Sequence, residues 1–182
     1  MYKGIIIYKS KYGASKKYAN WIAEETNLKV KEIEDVTVFD IEKNDIIILV
    51  GGVYASVFAC YSFMKKHIDV LRFKKLAIFC VGAADSDDSY KDALMDDSNI
   101  LKIGEFFYGR GSMDIKNMTF RDKTIMKLVR KALLRKKKHE DLSIDEGKLN
   151  ADDMLDMIDN SSDWTDKSYI VPLVSWFNEN NK

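Results

Sequence analysis

The sequence predicts an α/β fold, a doubly wound sheet of five parallel strands in the order 2-1-3-4-5 with helices on both faces. Three observations point to it. Short β-branched runs alternate with amphipathic stretches, as in repeated strand-helix-strand units. Three of the runs, Gly4 to Tyr8, Asp45 to Val50 and Lys75 to Val81, are apolar almost throughout, as strands covered on both faces must be. Right-handed crossovers, nearly obligatory between parallel strands, then distribute the helices over both faces.

Each element has its own warrant. GIIIY, DIIILV and KLAIFCV are the first, third and fourth strands, and Lys29 to Ile33, which alternates polar and apolar residues, is an edge strand. Ile100 to Tyr108 (ILKIGEFFY) is less regular but apolar and aromatic enough to complete the sheet. Ser15 to Glu25 carries Tyr18, Ala19, Trp21, Ile22 and Ala23 at helical spacing, with Ser15 suited to cap its start. Phe58 to Val70 is expected to be the second crossover helix and Asp88 to Met95 a shorter third. Beyond Tyr108 the alternation stops, and a helical insertion is expected over roughly 110–160. Within it Thr119 to Lys137 is a long amphipathic helix, and Asn150 to Ile158 a short acidic one. The segment Thr165 to Asn178 offers Tyr169, Leu173, Trp176 and Phe177 to the sheet, and its helix either kinks at Pro172 or begins near it. All 182 residues are expected to form one domain.

Composition narrows the function classes. No apolar run approaches the roughly 20 residues that span a bilayer, and no export signal precedes the first strand, so a soluble cytoplasmic chain is expected. Cys60 and Cys80 stand apart in apolar surroundings, and neither His67 nor His139 has metal-ligand neighbours, so the sequence calls for no disulfide and no metal. The net charge is zero but unevenly spread: Arg110 to Lys138 holds eleven Lys and Arg against two Asp and Glu, and Glu140 to Asp166 holds ten acidic residues against one Lys. Neither block demands nucleic acid. The basic amphipathic stretch 119–138 is suited to peripheral contact with a membrane surface or an acidic redox partner.

Chemistry is expected in the loops at the carboxyl ends of the strands, where an open parallel sheet binds ligands. After the first strand come Ser10, Lys11, Tyr12, Gly13, Ala14 and Ser15, directly before a helix. Two hydroxyls, a glycine, free amides and a helix dipole can wrap a phosphate there without a divalent metal. The loop matches neither the triphosphate nor the dinucleotide glycine pattern, so a monophosphate suits it better. After the third strand come Gly52, Val53, Tyr54, Ala55 and Ser56, whose small residues permit close approach and whose tyrosine can cover a flat ring. After the fourth come Gly82, Ala83, Ala84 and Asp85, again small residues with free amides. Each loop alone has an ordinary structural explanation; the three together are the signal.

With those loops in view, the chain resembles the flavodoxin family, and within it the branch that includes menaquinone-dependent protoporphyrinogen oxidase. Ser10, Gly13 and Ser15 stand where that family has its FMN-phosphate loop, with Tyr12 in place of its usual middle threonine. Gly52 to Ser56 and Gly82 to Asp85 correspond to the loops that sandwich the isoalloxazine, which makes Tyr54 the stacking residue by resemblance. The branch similarity lies in Phe107 to Gly111, Phe120 to Leu128 and Asp163-Trp164. The resemblance implies FMN as cofactor and an oxidoreductase that passes electrons to a quinone-like or other small acceptor. An electron carrier serving a redox partner protein, and a flavin-free binding module that keeps the fold, stay open as alternatives. No residue is singled out as catalytic, because in such sites the flavin does the chemistry and backbone amides can tune it.

Overall fold

The structure, a computed structural model, describes residues 2–54, 57–83, 100–139, 155 and 158–182, with 136–139 described by backbone alone. Five parallel strands form its centre: β1 (Gly4–Lys9), β2 (Lys29–Glu32), β3 (Ile46–Tyr54), β5 (Lys75–Gly82) and β6 (Glu105–Arg110), laid out as β2-β1-β3-β5-β6. Counting parallel strands alone, that is the expected order 2-1-3-4-5 of a flavodoxin-like fold, with the alternating segment Lys29–Glu32 at one edge.

The apolar runs are divided residue by residue between the two faces, as the strand period of two requires. Ile5, Ile7, Ile47, Leu49, Leu76 and Ile78 meet Met64 and Leu71 on one side, from α3 (Tyr61–Lys66) and α4 (Ile68–Leu71). Ile6, Tyr8, Ile46, Ile48, Val50 and Phe79 meet Tyr18, Ala19 and Ile22 of α1 (Ala14–Thr26) and Leu173 and Phe177 of the C-terminal helix on the other. Each fully buried Ile or Leu contributes roughly 1.5–3 kcal/mol by leaving water, so these two layers dominate the stability.

Several boundaries differ from the sequence expectation. The third strand does not stop at Val50 but runs through Gly51 and Gly52 to Tyr54, then turns back so that β4 (Val57–Phe58) pairs antiparallel with it, Phe58 opposite Val53. Phe58 is therefore a strand residue, and the helix expected over Phe58 to Val70 starts only at Tyr61 and breaks at His67 into α3 and α4. The fifth strand likewise starts late: Leu101–Ile103 make a single 3-10 turn, and the strand runs to Arg110 instead of Tyr108. Ser15 does not cap α1; Gly13, with φ of +95°, holds the cap position and Ser15 lies buried one residue inside the helix start.

A short helix that periodicity did not reveal, α2 (Val38–Glu42), is held by a reciprocal cap. The Asp40 amide donates to Thr37 Oγ1, the Asp40 carboxylate accepts from the Thr37 amide, and Lys31 and Lys43 hold that buried carboxylate well below the usual carboxylate range. In the insertion, α5 (Phe120–His139) forms as expected, and the chain returns to its start through β7 (Ser112–Met113) paired with β8 (Ser162–Asp163). The last helix, α6 (Val171–Asn180), begins near Pro172 and does not kink there, because the ring sits in the first turn where no amide is needed. The helix expected over Asp88 to Met95 lies outside the described residues, as does that over Asn150 to Ile158 apart from 155 and 158.

Gly51 carries the close approach of β4. A Cβ there would stand 2.8 Å from the Phe58 ring and 2.9 Å from Cys60 Sγ, both buried. Gly51→Ala is expected to lower stability by about 1–3 kcal/mol in urea denaturation, as overpacking does. An unchanged midpoint would mean that the hairpin moves freely on β3.

Candidate functional site

Because β1, β3, β5 and β6 are parallel, their carboxyl ends open on one edge of the sheet, and one cleft lies there. Its walls come from four segments. Tyr12, Ala14 and Ser15 come from the β1–α1 loop; Gly52, Val53 and Tyr54 from the end of β3; Val81, Gly82 and Ala83 from the end of β5. The fourth wall, Gly111, Ser112, Met113 and Met118, comes after β6. Of the residues expected from sequence, Ser10, Lys11 and Gly13 stand beside this cleft and do not line it, and Ala55, Ser56, Ala84 and Asp85 lie outside the described residues.

The β1–α1 loop is arranged around a helix start. The Gly13 amide donates to Ser10 Oγ at 3.1 Å, and the Lys17 amide makes the first helical bond to the Gly13 carbonyl at 2.9 Å. The amides of Ala14, Ser15 and Lys16 therefore have no acceptor within the helix, and no acidic residue occupies its first turn. Their partial positive charge faces the cleft edge uncompensated by the helix itself. Only a residue without a Cβ takes a φ of +95° at low cost, and a Cβ at Gly13 would meet nothing within 4 Å, so the glycine is there for its backbone conformation.

Tyr54 bends back over its own strand. A Cβ on Gly52 would be 2.7 Å from the Tyr54 ring, so the bare backbone of Gly52 is what lets the ring lie across it. The residue is 41% exposed, and burial of its hydroxyl raises its pKa. On the opposite wall the Tyr108 hydroxyl lies close over Gly82 in the same manner.

One charged contact reaches the loop from far along the chain. The Asp122 carboxylate, in the first turn of α5, accepts from the Tyr12 hydroxyl and pairs with Lys11 Nζ. The Lys11 ammonium and then the Tyr12 hydroxyl pull the Asp122 pKa down to about 2, and Asp122 in turn raises that of Lys11. Lys11 Nζ also stands 5.4 Å from the Tyr12 ring centre and 5.9 Å from that of Tyr54, so it draws both aromatics toward one point.

The closing segment is tied to the end of β6. Tyr18, pushed up to about 12 by burial, donates to the Arg110 carbonyl at 2.6 Å and accepts from the Asp166 amide at 3.2 Å, while the Arg110 guanidinium lies 4.9 Å from the Trp164 ring. The Trp164 amide donates to the Gly111 carbonyl at 3.1 Å, which fixes the fourth wall. Cys60 and Cys80 are buried in the core; burial pushes the Cys60 thiol up to about 12, so neither is an activated nucleophile. Among the described residues no group of three His, Cys, Asp or Glu comes together around a metal-sized point.

Sequence reasoning missed the fourth wall because it ended the last strand at Tyr108. The signal was present: Gly109 and Gly111-Ser112 repeat the small residues found after the other strands, and moving the strand end to Arg110 would have placed them at the cleft.

Solved structures with low identity share parts of this chain. They include two-electron reduced Megasphaera elsdenii flavodoxin (19% identity, 58% of this chain and 82% of that one, TM-score 0.44). The Bacillus subtilis Trp repressor binding protein is 13% identical over 60% of this chain and 85% of that one, with a TM-score of 0.48. A flavoprotein in complex with FMN from Lactobacillus acidophilus is 16% identical over 60% of this chain and 93% of that one, with a TM-score of 0.43. No curated protein matches the sequence. The model of the flavodoxin domain matches residues 5–141, from the first strand through the long helix of the insertion, and the chain belongs to that family.

Proposed function

We propose that this chain is a flavoprotein that holds one FMN in the cleft at the carboxyl edge of its sheet and passes electrons between the reduced cofactor and a small, quinone-like acceptor. The observation that carries the reading is the convergence, in one cleft, of an uncompensated helix N-terminus with two glycine-bearing strand ends, one of which presents a tyrosine ring. The donor set fits the cofactor. Ser10 Oγ accepts from Gly13, which leaves its own hydrogen to donate, and the amides of Ala14 and Ser15 open toward the same edge. These groups, within the loop Ser10 to Ser15, hold the phosphate.

Gly52 to Tyr54 and Gly82-Ala83 flank the ring, with Tyr54 as the aromatic cover and the bare backbone at Gly52 and Gly82 allowing close approach. Bound there, FMN supplies hydride or electron transfer that no side chain of this chain can perform. The protein's part is to bind, orient and exclude water. Val53, Met113 and Met118 give the cleft an apolar wall, and adaptable thioethers suit a flat apolar acceptor. The similarity of Phe107 to Gly111, Phe120 to Leu128 and Asp163-Trp164 to the menaquinone-dependent protoporphyrinogen oxidase branch supports the quinone as acceptor class.

The exposed side of α5 supports a meeting place for such an acceptor. Phe120 (86% exposed), Ile125 and Leu128 share it with Arg121, Lys127, Lys131 and Arg135, which make no ion pair among the described residues. Apolar side chains among cations suit an anionic bilayer surface. No helix among the described residues is long and apolar enough to cross a membrane, so the contact proposed is peripheral.

The purified chain, incubated with FMN and desalted, is expected to keep flavin absorption on the order of 370 and 450 nm. Ala14→Asp places a carboxylate at the first helical position, where the dipole tolerates it but a phosphate does not, and FMN affinity is expected to fall at least about tenfold. A colourless protein, or equal affinity in Ala14→Asp, sinks the assignment of the loop. The FMN-loaded chain, once reduced, is expected to be reoxidised by a soluble menaquinone analogue with saturable kinetics; transfer only to protein acceptors selects the carrier reading instead. Co-sedimentation with anionic vesicles is expected at low salt and lost near 0.5 M salt as charges are screened to within about 5 Å; no binding at low salt removes the membrane contact.

A further inference from the structure

We propose that Asp122 is an internal anion that competes with the ligand phosphate for the β1–α1 loop, so that one residue of the insertion helix sets how tightly the loop holds FMN. The inference rests on the reading of that loop as the phosphate site.

Part of the loop's donor set is already engaged by the chain itself. The Gly13 amide goes to Ser10, while Lys11 Nζ and the Tyr12 hydroxyl converge on a single oxygen, Asp122 Oδ2. Among the described residues Asp122 is the only carboxylate bonded to Ser10–Ser15, and it comes from 110 positions further along the chain. Its depressed pKa keeps it charged across the physiological range. A phosphate entering the loop therefore meets a second anion that holds the loop's one ammonium. Two anions sharing one set of donors repel, and each weakens the other by the same factor.

Loss of this contact would leave α5 held elsewhere. α5 is anchored a second time by Arg130, whose Nε and Nη2 donate to the two Asp159 oxygens at 2.7 and 2.9 Å. Its first turn, with Asp122, Arg121 and Lys123, can leave the loop while that second anchor remains. Ligand binding at the loop and docking of the first turn of α5 are then alternatives.

The test uses the full chain and two flavins that differ only in the phosphate. Fluorescence quenching measures binding of FMN and, separately, of riboflavin. Asp122→Asn is expected to bind FMN about tenfold more tightly, within the usual range of coupling between sites, with riboflavin affinity unchanged within about twofold. Asp159→Asn, which loosens the other anchor and leaves the loop alone, is expected to change neither. Equal or weaker FMN binding by Asp122→Asn overturns the inference while FMN binding by the unaltered chain keeps the functional reading. An equal gain for riboflavin also overturns it, since a loosened helix alone would then suffice. If no variant and not the unaltered chain binds FMN, the phosphate reading falls and the inference with it. A second readout needs no substitution: FMN is expected to speed trypsin cleavage after Arg121 and Lys123 and riboflavin is not, and equal cleavage with both overturns the competition.

Discussion

Everything in this fold hangs on the parallel pairing of β1, β3 and β5. Their side chains are buried on both faces, so no slip of register is free: a shift by one residue would exchange the layer that packs on α1 and α6 for the layer that packs on α3 and α4. Register in turn fixes where each strand ends. Lys9, Gly51 and Cys80 lie side by side across the three strands, so the loop residues after each of them are delivered to the same edge. The cleft is thus a consequence of the core's registry, with the glycines at the strand ends leaving room where bulkier residues would fill it.

Around that core the carboxyl edge of the sheet is held by a few long-range polar contacts rather than by burial. Tyr18 is the most connected of them. Its ring packs against Trp21 and Phe79 while its hydroxyl joins the end of β6 to the closing segment through Arg110 and Asp166. A buried phenol without partners would be costly, and this one is satisfied on both sides, which makes it a fixed joint between the sheet and the insertion's return. The surface pairs near it, Lys17 with Asp163 and Lys167 with Glu24, are exposed and add direction more than stability.

The insertion reaches the β1–α1 loop itself. In an isolated β1–α1 loop, Lys11 and Tyr12 would answer only to solvent or ligand. Here α5 brings a carboxylate to both, so the charge at the mouth of the cleft is close to balanced, and the aromatic rings of Tyr12 and Tyr54 gather around the Lys11 ammonium. The same helix turns a basic, partly apolar side outward. One element therefore bears on the edge of the cleft through its inner side and on the surroundings through its outer side.

By itself the sequence determined the sheet, its strand order and the edge position of the alternating second strand, because these arise from local periodicity and from the handedness of crossovers. Tertiary structure decided the rest. Whether Gly51 to Tyr54 is loop or strand depends on Phe58 folding back onto it, a contact that periodicity in either segment cannot report. The wall Gly111 to Met118 entered the cleft because β6 runs two residues further than its apolar pattern, held by pairing with β5 and by Trp164. Ser15 was displaced from the cap by two residues because Gly13 takes the left-handed backbone there. Of all the features at the edge, the grip of Asp122 on Lys11 and Tyr12 was the least legible, since contacts across 110 and more positions leave no trace in local composition and exist only once the chain has closed on itself.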